Sequence, residues 1–378
     1  AGLVALLAVL LGFSAHSYGA DDTKLQLRGH VRDLDRLQGV RHGVIKGKKA
    51  YVAAPEADGG TLAVIDISDP KRPFIEGTLS GPELLGASYV VMAPEKGMWS
   101  TGAVVLVAAP GANALVAVDV SKPSAPKVIS SIVDPKDLDG ACTVGVVGKH
   151  AYVGACRPKI LALINVDDPA AMKITSTMQL SAVDEVHAVG DYIFLAGGKD
   201  GGNRITTLKD NKGVLEKIGS TKDVRLQDAE AIYIPKEGYH HNKTLAFVTS
   251  DYRGGSITAF DISEPFQPKV VQSVPAMGKF GIKSLHGARD LVVDEVLKLA
   301  YVASALHEGG LVAVLDVRDP GGDAKGKGGI TLKETVVSPV LENCMGVVHS
   351  EDHKTVLAFM PPSGTVAVLF QTQTKMEL

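Results

Sequence analysis

Arg41, Asp184, Glu230 and Arg289 occupy equivalent places in segments that are otherwise apolar or small: GVRHGV (39–44), AVDEVH (182–187), DAEAIY (228–233) and GARDLV (287–292). A charge among apolar strands is costly unless it is paired. Two acids and two guanidinium groups allow two arrangements. One is a ring of structural ion pairs, with Glu230 meeting Arg289 across one gap, Asp184 near Glu230 and Arg41 opposite. The other is a binding site in which Arg41 and Arg289 hold a small polar or anionic ligand. His42, His187 and His286 fall in or beside the same segments. Neutral imidazoles are common metal ligands, and three of them converging with Asp184 and Glu230 would make a mononuclear centre. They occupy different columns when the segments are aligned. That places them at different depths and favours core or rim histidines, with no metal and no cofactor.

The cysteines are Cys142, Cys156 and Cys344, too few for a disulfide scaffold. Cys142 and Cys156 flank a turn at Gly148-Lys149-His150 symmetrically, which sets them opposite each other in a hairpin. In an oxidising compartment they can form a bridge; otherwise they are two small buried residues, and Cys344 stays free. Neither strand carries a histidine at a spacing that would activate a thiol. His240-His241 and the stretch from His349 to His353 read as solvated turns. Phosphate-cradling loops, GxSxG, HExxH and paired CxxC motifs are absent.

The elements that must position these residues repeat along the chain. A strand ending in small residues, a glycine turn, a strand ending in Asp and a polar-Pro turn recur, first as AYVAAPEADGGTLAVIDISDP (50–70). Val52, Val107, Val153, Leu195, Val248, Val302 and Leu357 mark the copies, 42 to 55 residues apart. Such steps hold about four short strands each. In the first unit the expected strands are Val40 to Lys46, Lys49 to Ala54, Thr61 to Ile67 and Phe74 to Leu79. The expected fold is all-β, a seven-bladed β-propeller of four-stranded antiparallel blades. The last unit lacks a fourth strand after Thr365 to Phe370, and KLQLRGHV (24–31) aligns with fourth strands such as PKVISSIV (126–133). The N-terminal strand 24–31 therefore completes the last blade and leaves no open sheet edge. In each unit the first strand should line the central channel. The third column there reads Arg41, Ser88, Cys142, Asp184, Glu230, Arg289 and Met345.

The units LAVIDISDP, LVAVDVSKP, ITAFDISEP and LVAVLDVRDP, each after a YVA-like strand, resemble the LVIVD-repeat family. The resemblance spans nearly the whole chain after its first twenty residues. It implies a β-propeller in a secreted or surface-associated protein and implies no shared activity. Units four and seven lack the Asp-x-Ser-x-Pro turn.

Leu3 to Phe13 is an apolar run too short to span a bilayer, with small residues at Ala15, Ser17, Gly19 and Ala20. It reads as a signal peptide over 1–20 ahead of a single propeller domain over 21–378, entering the secretory path. Asn242-Lys243-Thr244 is a glycosylation sequon, with Asn242 the acceptor. A net charge of −3 without a long basic run argues against nucleic acid as partner. The composite expectation is a secreted, non-catalytic propeller that binds a protein or a small polar ligand. Recognition would use loops at 94–102, with Trp99, at 235–244 and at 320–329. The alternative is a propeller hydrolase or oxidoreductase with a metal held by channel His and carboxylate side chains.

Overall fold

The computed structural model describes residues 23–93, 103–197, 203–235, 244–279, 281–305, 310–321 and 328–373. The segment 1–20, read as a signal peptide, lies outside them, as do Trp99, His240-His241, Asn242 and most residues of the loops expected to carry recognition.

Among the described residues the strands form seven four-stranded antiparallel sheets. The first blade comprises His42–Lys46, Lys49–Ala54, Thr61–Asp66 and Phe74–Ser80, in that order from the axis outward. These match the expected strands to within two residues. The innermost strands of the seven blades, His42–Lys46, Tyr89–Met92, Ala141–Val147, Glu185–Val189, Ala229–Tyr233, Ala288–Asp294 and Gly346–His349, touch in sequence around a closed ring. The last blade is completed by Thr23–Arg32, which pairs antiparallel with Thr365–Gln373.

The apolar core is not central. Seven separate clusters each lie between two adjacent blades, built from the two middle strands that the sequence makes apolar on both faces. Leu25 of the N-terminal strand enters the cluster between the sixth and seventh blades, 4% exposed. The chain enters most blades through a tight turn with a fully buried leucine, helical at Leu37, Leu84, Leu226, Leu285 and Leu341 and non-helical at Leu138. Several turns are capped by a short polar side chain, as where Asp33 accepts from the Arg36 N–H at 2.9 Å and Ser338 from Val340 at 3.2 Å. The entry to the fourth blade carries Ala182 and Val183 instead.

Every fourth strand contains one bulge, and the residue just past it meets the next blade. At Gly77 and Gly219 a Cβ would lie 2.3 Å from the Pro123 carbonyl oxygen and 2.2 Å from that of Phe266. At Gly29 the neighbour is the Pro70 carbonyl oxygen, 2.5 Å away. The Ser130 hydroxyl donates to the Pro169 carbonyl. Elsewhere side chains accept backbone N–H groups of the next blade: Ser176 from Leu215 at 3.5 Å, Gln272 from Ile330 at 2.6 Å, Glu334 from Leu25 at 2.7 Å. The polar-Pro turn of the repeat thus does more than reverse the chain. In the first, second, third and fifth units that turn latches the preceding blade.

Candidate functional site: the axial channel

Three inner strands, those starting at Ala141, Ala229 and Ala288, carry bulges at Cys142, Glu230 and Arg289. In the other four the corresponding residue, Arg41, Ser88, Asp184 or Met345, immediately precedes the first paired residue. None of the seven third-column residues is paired in its ladder, so all are released to one end of the channel. They line a mouth of about 290 Å³.

At this mouth Arg289 pairs with Glu230 across one blade gap and stands 3.9 Å from Asp251. Burial, with Asp251 and Asp228 adding, pushes the Glu230 carboxyl up despite its guanidinium partner. Arg289 Nε is buried and meets no acceptor. Arg41 is exposed, and Asp184 lies on the same rim. His42 borders both the mouth and the lumen, and His187 sits further in. His286 does not belong to the channel. It closes the turn Lys283–Leu285 ahead of its blade and lies beside Gly254, because the inner strand begins only at Ala288.

Below the mouth, strand alternation sends every second side chain into a lumen of about 370 Å³. The first inward ring contains His42, Tyr89, Glu185, Ala231 and Asp290, followed by Val44, Val91, His187, Tyr233 and Val292. The imidazole of His42 stacks on Tyr89, centroids 3.5 Å apart and planes 15° apart. Its Nδ1 accepts from the Val90 N–H at 3.4 Å, and burial takes its pKa down to about 3, so it is neutral. Tyr89 donates its hydroxyl proton to Glu185 Oε1 at 2.6 Å. Burial raises the Glu185 carboxyl to about 8, with Asp290 and Asp184 contributing and the Tyr89 bond opposing. Burial likewise raises Asp290 to about 7, against N–H donors from Val347 at 2.9 Å and Leu291 at 2.8 Å. Both acids are ringed by protein yet still reach the lumen. The ring of His187 meets Tyr233 edge-on at 5.4 Å.

Tyr89, Glu185 and Asp290 are not among the residues that the sequence pattern singles out, although it holds one signal for them. They fill the fourth column of the alignment, next to the third column with its conspicuous charges. The pattern alone puts His349 in a solvated turn, but it ends the inner strand of the seventh blade and lines the lumen, its Nε2 3.0 Å from the Val293 carbonyl oxygen. Cys142 and Cys156 are joined in a disulfide. They are not opposed as the spacing suggests: the turn has two residues, Gly148 and Lys149, so Val147 faces His150 and Ala141 faces Ala155. The bulge at Cys142 supplies the offset that brings the sulfurs together. Cys344 is a buried thiol raised to about 12 by burial and by Asp290, which leaves it no nucleophilic form near neutrality. No group of three or more His, Cys, Asp or Glu side chains among the described residues is placed to hold a metal ion.

The architecture is that of a seven-bladed β-propeller whose polar groups converge on its axis. The chain carries LVIVD repeats: the LVIVD-repeat family model matches residues 43–79 and 107–134. No curated protein matches the chain by sequence. A crystal structure of a protein from Lactobacillus plantarum superposes with a TM-score of 0.59 at 17% identity, over 81% of this chain and 86% of that one. Chaetomium thermophilum Raptor gives 0.68 at 12% identity, over 97% of this chain and 30% of Raptor. The β-propeller domain of Myceliophteria thermophila Cps50 (Swd1) gives 0.66 at 10% identity, over 92% and 99%. At such identities the likeness is one of fold.

Proposed function

We propose that this chain is a non-catalytic binding propeller that works outside the cytosol and takes a small polar ligand in its axial channel. The observation that carries this reading is the double ring of polar side chains around two adjoining axial cavities, with Arg41, Asp184, Glu230 and Arg289 at the mouth and His42, Tyr89, Glu185 and Asp290 shared between mouth and lumen. A concave site with few, convergent polar groups is the usual form of a small-molecule site. The Cys142–Cys156 disulfide and the apolar run from Leu3 to Phe13 support an oxidising, extracytoplasmic setting.

A second reading, a propeller enzyme, draws on one specific feature. Glu185 and Asp290 are poised near neutrality, at about 8 and about 7, as general acids and bases often are. A thermal-shift screen of the purified chain against small anions, cations and neutral polyols, followed by crystallography of each hit, separates the readings. Unaltered ligand in the channel supports the binding role. A hit recovered as a chemically changed product supports the enzyme. Hits that bind only outside the channel, or no hit at all, overturn the proposed site.

A further inference from the structure

Resting on the channel as a ligand site, we propose that the lumen binds a small organic cation, a protonated amine or a quaternary ammonium group, held between Glu185 and Asp290 against the face of Tyr233.

The charge pattern of the lumen comes first. Its lining contains two carboxyl groups and no Lys or Arg. The guanidinium groups described along the axis, those of Arg41 and Arg289, are at the mouth, and Arg289 is engaged by Glu230. His42 is neutral and committed to Tyr89 and Val90. Two carboxyl groups that hold their protons toward neutrality, with no Lys or Arg beside them in the lumen, release those protons more readily to a positive charge placed between them. The same charge is worth more there than in water, because the walls are protein.

The walls then select the kind of cation. Tyr233 lines the lumen beside His187, and the stacked His42–Tyr89 pair forms another part of the wall. Aromatic faces attract ammonium groups that carry alkyl substituents, and aliphatic side chains such as Val44, Val91 and Val292 favour those substituents over bare water. About 370 Å³ accommodates a ligand of a few heavy atoms with its remaining water. A bare divalent ion is served less well, since no trio of ligating side chains is assembled among the described residues.

The test is isothermal titration of the purified chain with methylammonium and choline, with calcium and citrate as competing classes. The expected result is one choline site per chain. Binding should weaken by about tenfold or more in Glu185→Gln and in Asp290→Asn, which keep the acceptors for Tyr89 and for the Val347 N–H. Lys136→Gln, on an exposed turn away from the channel, should leave choline binding unchanged. Should a variant fail to fold, a choline-soaked crystal of the unaltered chain decides the matter, the ammonium carbon atoms being expected between the two carboxyl groups. Choline binding that is indifferent to both carboxyl variants overturns the inference, as does calcium binding in its place. Citrate binding that depends on Arg41, without choline binding, overturns the inference and leaves the channel as a ligand site. Failure of every probe to bind removes both.

Discussion

The Tyr89 hydroxyl donates a 2.6 Å hydrogen bond to Glu185, which belongs to the second blade on from its own. The bond bridges the intervening third blade along the wall of the lumen. It lowers the Glu185 pKa against the rise that burial imposes. Tyr89→Phe should therefore raise the Glu185 pKa above about 8 and cost about 1–2 kcal/mol of stability. Carboxyl infrared titration and chemical denaturation measure the two effects. An unmoved carboxyl band would mean that the bond is not made in solution.

The two lumen acids make stability depend on pH in a definite direction. Glu185 is raised from 4.5 to about 8 and Asp290 from 3.8 to about 7, while His42, Tyr89, Asp184 and the Glu230–Arg289 pair surround them. The folded protein thus retains protons that the unfolded chain releases. Their contribution is complete below about pH 4 and is lost as pH rises through about 7 to 8. The urea midpoint should fall between pH 5 and pH 8, and the Glu185→Gln, Asp290→Asn double variant should be flatter across that window. A midpoint that climbs over the same range in the unaltered chain, with no flattening in the double variant, would contradict these assignments.

The latch between blades predicts an asymmetry among glycines. Gly77→Ala forces a methyl group against the Pro123 carbonyl oxygen, so the cost should be about 2–3 kcal/mol. Gly47→Ala meets nothing within 4 Å but holds φ at +57°, and about 1 kcal/mol is expected. Denaturation midpoints of the two variants decide the order. Equal costs would remove the close approach from the account.

Closure of the ring can be tested by removing Thr23–Arg32. The deletion exposes the edge of Thr365–Gln373, takes Leu25 from its interblade cluster and opens the Gly29 latch on Pro70. The melting temperature should drop well beyond the effect of trimming ten surface residues, and transitions followed at different blades should separate. A truncated chain that melts like its parent would show that the strand is dispensable.

Replacing Cys142 and Cys156 by serine removes a crosslink spanning 14 residues, and a loss of about 3 kcal/mol is expected. The same loss should follow reduction of the unaltered chain, since Cys344 is buried and takes no part. Mass spectrometry of the alkylated protein supplies the control. Two thiols labelled before reduction would mean that no bridge forms.

What could be read from the sequence follows from how local the signals are. The two middle strands of each blade advertise themselves because both faces are buried, and the Asp that ends the third strand bonds its own turn, as where Asp66 accepts from the Ser68 N–H at 2.8 Å. Blade number, the first unit's strand limits and the shared last blade follow from those marks. The fourth unit is worn for a visible reason: Lys209 stands where Asp is usual, and Asp210 instead holds the Gly213 N–H and the Tyr152 hydroxyl of the neighbouring blade. The third-column ring is legible because its residues are charged. Tyr89, Glu185 and Asp290 are not, because adjacent strand residues should face opposite ways, and only a bulge or a late strand start brings both columns to the axis. His286 misleads in the converse way. Its spacing from the repeat is right, but a helical turn occupies the place where a strand is expected.

The pairing of 23–32 with 365–373 also fixes an order of events. A strand made before every other strand of the ring must wait, unpartnered, until more than three hundred further residues have been made before its neighbour exists. Throughout that interval the nascent protein presents one orphan strand and, later, one orphan edge, each apt to pair with another copy. The last step of assembly is therefore the moment at which crowding does most harm, and folding helpers that shield extended segments have most to offer.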